Sequence, residues 1–280
     1  MRRCSRCNTP LPLEARFCWN CGTEQPLLDP RTGGAPLRVD LSGNLEAQLN
    51  EQFFFALRER MEREHDRDSF HEFSERLYIS GFRDTVLRRI AQLSTLLTEM
   101  HDADEAWPQE VNALIEDLFE DLLDQFIIRF AQDLCETSYP EAILKYQYAE
   151  AGKVALTQMV LDFLQLEAED EDFYTDFLRM PVEKLAQAGK RFLFPAKDEK
   201  ILMIVDQSVM GTCKEGYALT DRALYWKAPL QKPQYAAYTQ LRDFRKEQGW
   251  ITINGHFFNA TPAINHRLLR LLSRLRRLFS

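Results

Sequence analysis

The sequence of 280 residues predicts a multidomain α+β protein, and three observations lead to this fold class. Four of the six cysteines stand in two CxxC pairs near the start of the chain. From Leu45 to about Arg179, apolar residues recur at the spacing of an α-helix. After Pro181, segments rich in Tyr, Trp, Ile and Val alternate with turn residues, as in antiparallel strands. The predicted domains are 1–25, a linker over 26–44, an all-α helical bundle over 45–180, and 181–280.

The cysteine pairs have the spacing of a structural metal site. In Cys4-x2-Cys7-x10-Cys18-x2-Cys21, each pair forms a tight turn, and the spacer suits a short β-hairpin that brings the turns together. Four thiolates satisfy the tetrahedral preference of Zn²⁺ and leave no open coordination position. We therefore expect one structural Zn²⁺ per chain. A redox role is disfavoured, because no thioredoxin-like unit surrounds the pairs.

This stretch resembles the short zinc ribbons at the head of many prokaryotic proteins, whose pattern is roughly CxxCG…aromatic-CxxCG. Phe17 matches the aromatic position, whereas Asn8 replaces the first glycine. The resemblance implies a small module folded around its metal. It leaves the partner open, since zinc ribbons bind nucleic acid, bind protein or cap an assembly.

The segment from Thr23 to Asn44 holds three prolines and three glycines and shows no apolar periodicity, which is typical of a flexible linker. Four amphipathic helices should follow it as a bundle. The fourth should run from about Tyr139–Pro140 to Leu166. Three apolar stripes mark the others: Leu45, Leu49, Phe53, Leu57 and Met61; Val86, Ile90, Leu93, Leu97 and Met100; Leu114, Leu118, Leu122, Phe126, Phe130 and Leu134.

The bundle is acidic, and its charged residues are expected on solvated faces. Glu62 and His65 have the ExxH spacing that is found in di-iron bundles, and Asp68 and His71 have the same spacing with Asp in place of Glu. However, the segment EREHDRD is charged on every side of a helix. We expect a solvated surface there and no metal site. The net charge is +2 over residues 1–44, −19 over 45–180 and +9 over 181–280, so the acidic middle could attract a basic part of its own chain.

Turn residues divide the last third of the chain. A short helix should cover 182–192, and hairpin turns are expected at Thr220-Asp221 and Asn254-Gly255, the second of which is a strong hairpin dipeptide. Thr261-Pro262 should begin a last helix, with Thr as the N-cap and Pro in the first turn.

Residues 185–280 resemble the bacterial PH/GRAM-like domains, most specifically from Gly216 to Trp226. The segments that carry the resemblance are FLFPAKDEKILMIVDQS, KEGYALTDRALYWK and GWITING. The resemblance implies a PH-like antiparallel β-barrel closed by a C-terminal helix. It also implies a recognition fold without catalytic machinery. Phosphoinositide binding is not expected, because no dense Lys/Arg cluster lies in the first strand loop.

The predicted last helix, INHRLLRLLSRLRRLF, combines a leucine stripe with a second stripe of Arg267, Arg270, Arg274 and Arg277. Three interpretations remain open. In the favoured one, the leucines fill the barrel and the arginines face solvent. The arginines could instead dock on acidic residues of the bundle or of a partner protein, or the helix could lie on an anionic membrane surface.

The function predicted from these features is that of a non-enzymatic, cytoplasmic interaction or adaptor protein, with homo-oligomerisation open. No GxxxxGK[ST], GxGxxG or HExxH motif occurs, and no apolar run approaches the 18 or so residues of a membrane span. The alternatives are nucleic-acid binding and peripheral membrane binding. Nucleic-acid binding would use Arg2, Arg3, Arg6, Arg16 and Trp19, but the acidic middle opposes it.

Overall fold

The computed structural model contains both helices and antiparallel sheets, which confirms the α+β class. Its residues fall into two compact units, the first made of 1–59 and 70–126, the second of 60–69 and 127–280. The described residues are 36–65, 69–103, 105, 107–169 and 171–279, with positions 2–3, 6, 10–11, 20–21, 23 and 27–28 before them.

Two short antiparallel pairs lie in the first unit. Strand β1 (Arg2–Arg3) pairs with β2 (Pro10–Leu11), and β3 (Leu27–Leu28) pairs with β4 (Pro36–Leu37).

The end of the predicted linker is folded. Leu37, Val39 and Leu41 are buried, and the backbone N–H of Arg38 donates to Oδ1 of Asn112 at 3.1 Å. Every second residue is apolar and points inward here, a pattern too short to stand out in the sequence among the prolines and glycines.

Four helices follow: α1 (Leu45–Glu64), α2 (Phe70–Ile79), α3 (Phe82–Asp102) and α4 (Pro108–Phe130). The first two apolar stripes are confirmed, since every member except the half-buried Met100 is buried. Helix α2 was not predicted as a separate element. Gly81, with a φ of 73°, ends it and allows α3 to begin one residue later.

The third stripe is confirmed only in its centre. Leu118, Leu122 and Phe126 are buried, whereas Phe130 is exposed at the end of α4. Asp121 and Asp124, expected on a solvated face, are buried as well. Residues 121–124 are covered on every side of the helix, so helical spacing alone could not separate an inner face from an outer one.

The predicted fourth helix is wrong as a single element. A 3-10 segment covers Glu141–Tyr146, turns follow, and α5 covers only Leu156–Leu164. The chain folds back through the stretch around Gly152, and the hydroxyl of Tyr146 donates to Asp162 of α5 at 2.6 Å. Met159, Val160 and Phe163 are buried as expected.

The second unit contains two antiparallel sheets and two further helices. The predicted short helix is confirmed as α6 (Val182–Arg191). The five-stranded sheet has the order β5-β6-β7-β8-β9 and the three-stranded sheet the order β10-β11-β12. The strands are β5 (Asp172–Tyr174), β6 (Ile201–Asp206), β7 (Gly216–Thr220), β8 (Ala223–Lys227), β9 (Gln234–Ala237), β10 (Phe244–Lys246), β11 (Ile251–Ile253) and β12 (His256–Phe258).

The predicted closed barrel is wrong: within the described residues, neither sheet closes on itself or pairs with the other. A 3-10 segment, Tyr238–Gln240, separates β9 from β10. The hydroxyl of buried Tyr238 donates to the carbonyl of Thr220 at 2.8 Å, which holds the chain against the β7–β8 turn at this point. The sheets are instead joined through side chains, since Nε1 of Trp226 donates to the carbonyl of Phe257 at 2.8 Å.

Local turn chemistry was predicted well. Asn254 and Gly255 both have positive φ, 50° and 80°, and connect β11 to β12. The β7–β8 turn lies at Asp221-Arg222, one residue later than predicted. The hydroxyl of Thr261 accepts from the N–H of Ile264 at 3.3 Å, which confirms the cap of α7 (Pro262–Phe279).

Gly216 provides a test of the five-stranded sheet. Its φ is 142°, and a Cβ built on it would lie 2.1 Å from the carbonyl oxygen of Val205. We expect Gly216→Ala to lower the free energy of unfolding by at least about 2 kcal/mol in urea titrations, because neighbouring backbone must move. The control is Gly249→Ala, whose added Cβ meets nothing within 4 Å. Equal stability of the two variants would contradict the strand register at Gly216.

Candidate functional site

A buried ionic cluster in the second unit surrounds the carboxylate of Glu64, in the last turn of α1. Oε1 accepts from Nη1 of Arg270 at 2.9 Å and from Nη2 of Arg63 at 3.1 Å. Oε2 accepts from Nε of Arg60 at 3.2 Å and from the hydroxyl of Tyr139 at 3.4 Å. Burial opposes ionisation, but the charges of Arg270, Arg60 and Arg63 outweigh it and hold the pKa of Glu64 well below its usual range.

The sequence places these groups by helical spacing. Arg60 and Glu64 are four residues apart and therefore share one face of α1. Both are buried, as is His65 in the next position. The expectation of a solvated surface over EREHDRD is therefore wrong for Glu64 and His65. The charge pattern does not reveal this burial, because the segment is covered by α7, which lies some 200 residues later in the chain.

The arginine stripe of α7 also lies in the interior. Arg267, Arg270 and Arg274 are buried, so the interpretation in which they face solvent is wrong for these three. The interpretation in which the arginines meet acidic residues of the predicted bundle holds for Arg267 and Arg270, which contact Glu169 and Glu64. Nη1 of Arg267 donates to Glu169 at 3.2 Å and to the carbonyl of Leu164 at 3.1 Å. Nη1 of Arg274 donates to the carbonyl of Gln147 at 3.0 Å. Arg277, nearer the end of the helix, is half-buried.

A pair of histidines lies beside Glu64. The rings of His65 and His266 are in edge contact with centroids 4.9 Å apart, and Tyr139 packs on His266 at 5.1 Å. Burial, and next the neighbouring His65, lowers the pKa of His266 to about 3. Burial also lowers the pKa of His65, although Glu64 acts in the opposite direction. Both imidazoles are neutral at pH 7.

Burial sets the protonation of two further groups at this cluster. Burial, and next the charge of Glu64, raises the pKa of Tyr139 well above its usual range. The same two causes raise the pKa of the Cys135 thiol to about 12. Tyr139 is therefore a hydrogen-bond donor at neutral pH, and Cys135 remains a thiol rather than a nucleophilic thiolate.

Glu64, His65 and His266 offer ligand atoms within 4.8 Å of one another, close enough to hold a metal ion. The environment opposes a cation, however. Both oxygens of Glu64 already accept hydrogen bonds from guanidinium groups, so binding a metal would require breaking these ion pairs. The cluster is better described as a buried network of ion pairs beside two neutral histidines than as a metal centre.

The predicted zinc site falls mainly on residues that the structure does not describe. Cys4, Cys7 and Cys18 lie outside the described residues. Cys21 is half-buried, and its thiol donates to the hydroxyl of Thr23 at 3.2 Å. The zinc ligands therefore stay a prediction.

A second feature of the second unit is an exposed apolar surface, the hairpin edge, formed by Val209, Met210 and Leu230. Val209 and Met210 are 94% and 83% exposed in the β6–β7 loop, and Leu230 is fully exposed in the β8–β9 loop. The register pairs Asp206 with Gly216, and Gly216 with Lys227, so both loops lie at the same end of the strands. Sequence reasoning missed this surface, because it sought apolar residues for the core.

The loops of the hairpin edge are held in strained conformations. Cys213 and Leu230 have φ values of 56° and 60°, in the left-handed region that side chains other than glycine rarely adopt. Oδ1 of Asp206 accepts from the N–H groups of Ser208 and Cys213, both at 3.0 Å. Nζ of Lys184 lies 3.0 Å from Oδ2 of the same carboxylate. The Asp206 carboxylate therefore ties together the two ends of the β6–β7 loop that carries Val209 and Met210.

Comparison with protein-family models, with curated proteins and with solved structures gives no match.

Replacing Glu64 tests the buried cluster. Glu64→Gln keeps the size of the side chain but removes the charge that Arg270, Arg60 and Arg63 surround. We expect a loss of about 3–5 kcal/mol in the free energy of unfolding of the second unit, measured from amide exchange of β7. Glu183→Gln, a change at an exposed carboxylate of α6, is the control and should alter stability by less than about 0.5 kcal/mol. A loss that small for Glu64→Gln would show that the carboxylate is not what stabilises the arginines.

Proposed function

We propose that the protein is a non-enzymatic interaction protein whose second unit binds a protein partner through the hairpin edge. One observation carries the proposal: Val209, Met210 and Leu230 are exposed on two loops at one end of the five-stranded sheet, and each loop contains a residue with a left-handed backbone. Backbone strain of this kind costs roughly 1–3 kcal/mol per residue and concentrates at functional positions. A loop backbone that is already hydrogen-bonded loses less entropy on binding than a mobile loop, which favours association.

The order of the elements supports a PH/GRAM-like assignment for this unit. Strands β6 to β9 form consecutive antiparallel neighbours, β10 to β12 form a second sheet, and α7 follows as the last element. This is the order, strands and then a closing helix, on which the sequence resemblance depends. Strand β5 and the open sheets lie outside that resemblance. A recognition module of this type binds other molecules by its loops and edges and needs no catalytic group.

Charge indicates which kind of partner fits. Each loop of the hairpin edge carries an exposed lysine, Lys214 in one and Lys232 in the other. A partner with an apolar pocket and an acidic rim would complement this surface. The two loops also differ in sequence and in length, which gives the surface an asymmetry that a folded protein can recognise.

We also propose that the N-terminal module is a zinc ribbon, which gives the protein a second recognition element. The pairing of β1 with β2 supports this assignment, because it makes neighbours of Arg3 and Pro10, which stand on either side of the first CxxC pair in the sequence. A turn between paired strands is the setting in which a CxxC pair presents both thiolates to one ion. We propose a cytoplasmic location for the protein. Among the described helices, none combines the length and the apolarity that crossing a bilayer requires.

The zinc ribbon is tested by its metal content. The freshly purified, reduced protein should carry one Zn²⁺ per chain in native mass spectrometry. The double variant Cys4→Ser, Cys7→Ser should lose it, because two ligands cannot hold the ion. The variant Cys135→Ser is the control and should keep the metal. Protein without metal, or a double variant that still binds one zinc, would exclude the proposed ligand set.

The hairpin edge is tested by association in the native cell. A photo-crosslinking residue at position 210 should form adducts with a discrete protein, and that protein should copurify with the wild type. The triple variant Val209→Ser, Met210→Ser, Leu230→Ser should reduce its recovery at least about tenfold, since a few apolar anchors supply most of the binding energy. The variant Tyr148→Ser, Phe194→Ser removes exposed apolar residues elsewhere in the unit and should bind normally.

Recovery of the protein that is unchanged in the triple variant would overturn this proposal. Purified wild type should also bind neither vesicles containing phosphatidylserine nor single-stranded oligonucleotides at physiological salt. Binding to either one that is lost in the triple variant would assign the hairpin edge to the membrane or to nucleic acid instead.

A further inference from the structure

The contact between His65 and His266 joins two segments of the second unit that are far apart in the chain. His65 directly follows α1, and His266 lies in the second turn of α7. His266 is almost completely buried, and among the described residues neither of its ring nitrogens has a hydrogen-bond partner. Its ring instead meets the rings of His65 and Tyr139 at steep angles, 65° and 85°. This environment suits an uncharged imidazole.

We propose that His65 and His266 form a proton-sensitive latch, the histidine latch, which holds α7 in place at neutral pH and opens more often as the pH falls from 7.5 to 5.5. The latch is independent of the hairpin edge and of the proposed binding function.

The chemistry of the imidazolium ion supports the latch. Protonation gives the ring a positive charge and two N–H donors, and a buried charge without an acceptor is costly. The nearest carboxylate, Glu64, cannot easily serve His266, because both of its oxygens already accept from arginines. The charged and titratable groups that act on the two histidines are Arg60 and Glu64 of α1, Glu136 and Tyr139 of the segment after α4, Lys246 of β10 and Arg270 of α7. Arg63 and Cys135 interact with the same Glu64 carboxylate.

The sign and the pH window follow from linkage. The folded state keeps both histidines neutral, since their pKa values lie below the unfolded value of about 6.5. The stability they contribute is therefore fully present above pH 6.5 and falls as the pH drops toward about 3, the folded pKa of His266. At pH 5.5 protonation of His266 in the open state should favour opening about tenfold over pH 7.5, and His65 should act in the same direction. Ordinary carboxylates titrate near pH 4, below the interval from pH 7.5 to 5.5 in which the two states are compared.

Opening would expose most of the apolar surface of α7. Ile264, Leu268, Leu271 and Leu272 are buried in the closed state. The helix packs on α5, on β10 and on the 3-10 segment Tyr238–Gln240, and its release would remove these contacts. The opening is therefore measurable both in the amides of α7 and in the accessibility of its leucines.

Hydrogen exchange of the full-length protein tests the latch. After correction for intrinsic rates, exchange of the α7 amides should rise by about tenfold to a hundredfold between pH 7.5 and 5.5, while that of the β7 amides should rise less. In His266→Phe, which keeps an aromatic ring but cannot be protonated, the rise in α7 should shrink about tenfold. His256→Gln, at an exposed histidine of the same unit, is the control and should behave as the wild type. An unchanged rise in His266→Phe would overturn the latch.

A direct titration of the wild type does not depend on the folding of the variant. The imidazole carbon resonances of His266 should show a neutral ring in the folded protein from pH 7.5 to 5.5. Titration of His266 near pH 6.5 without opening of α7 would exclude the latch. A shift of the His65 and His266 resonances on addition of Zn²⁺ or Ni²⁺, together with slower α7 exchange, would make the pair a metal site and would also exclude it.

Discussion

The interaction on which the second unit most depends is the burial of the Glu64 carboxylate among three guanidinium groups. Glu64 and Arg270 are 206 residues apart in sequence, yet Nη1 of Arg270 lies 2.9 Å from Oε1 of Glu64. An ionised carboxylate removed from water is strongly destabilising unless charged donors surround it. Arg60 and Arg63 come from the same helical turn, but only α7 supplies the third. The position of α7 is therefore fixed by charge as well as by its leucines.

This constraint explains why α7 is polar in sequence and buried in the structure. A helix buried on all sides is usually apolar throughout, whereas α7 places Arg267, Arg270 and Arg274 in the interior. Each has an acceptor within the unit, a carboxylate for the first two and a backbone carbonyl for the third. Such directional contacts select one rotation of the helix about its axis, which leucine packing alone specifies less sharply. The histidine contact lies within the same arrangement and gives it a dependence on pH.

Much of the fold could be predicted, because local rules governed it. Period 3.6 located α1 and α3, Asn254-Gly255 fixed a hairpin, and Thr261 capped α7. The failures concern long-range packing. The charged segment EREHDRD predicts a solvated surface, but residues of α7 cover Glu64 and His65 in the structure. The predicted barrel did not form: a 3-10 segment that contains Tyr238 separates β9 from β10, and the two sheets do not pair within the described residues. The strain at Leu230 depends on a backbone angle that no residue pattern reveals.

A double-mutant cycle on Glu64 and Arg270 measures the central interaction most directly. The free energies of unfolding of the second unit would be compared for the wild type, Glu64→Gln, Arg270→Met and the double variant, at pH 7.5 where Glu64 is ionised. If the buried ion pair fixes α7, the two changes should be strongly non-additive, with a coupling energy of about 2 kcal/mol or more. A coupling energy below about 0.5 kcal/mol would mean that the two side chains act independently and that the leucines alone position the helix.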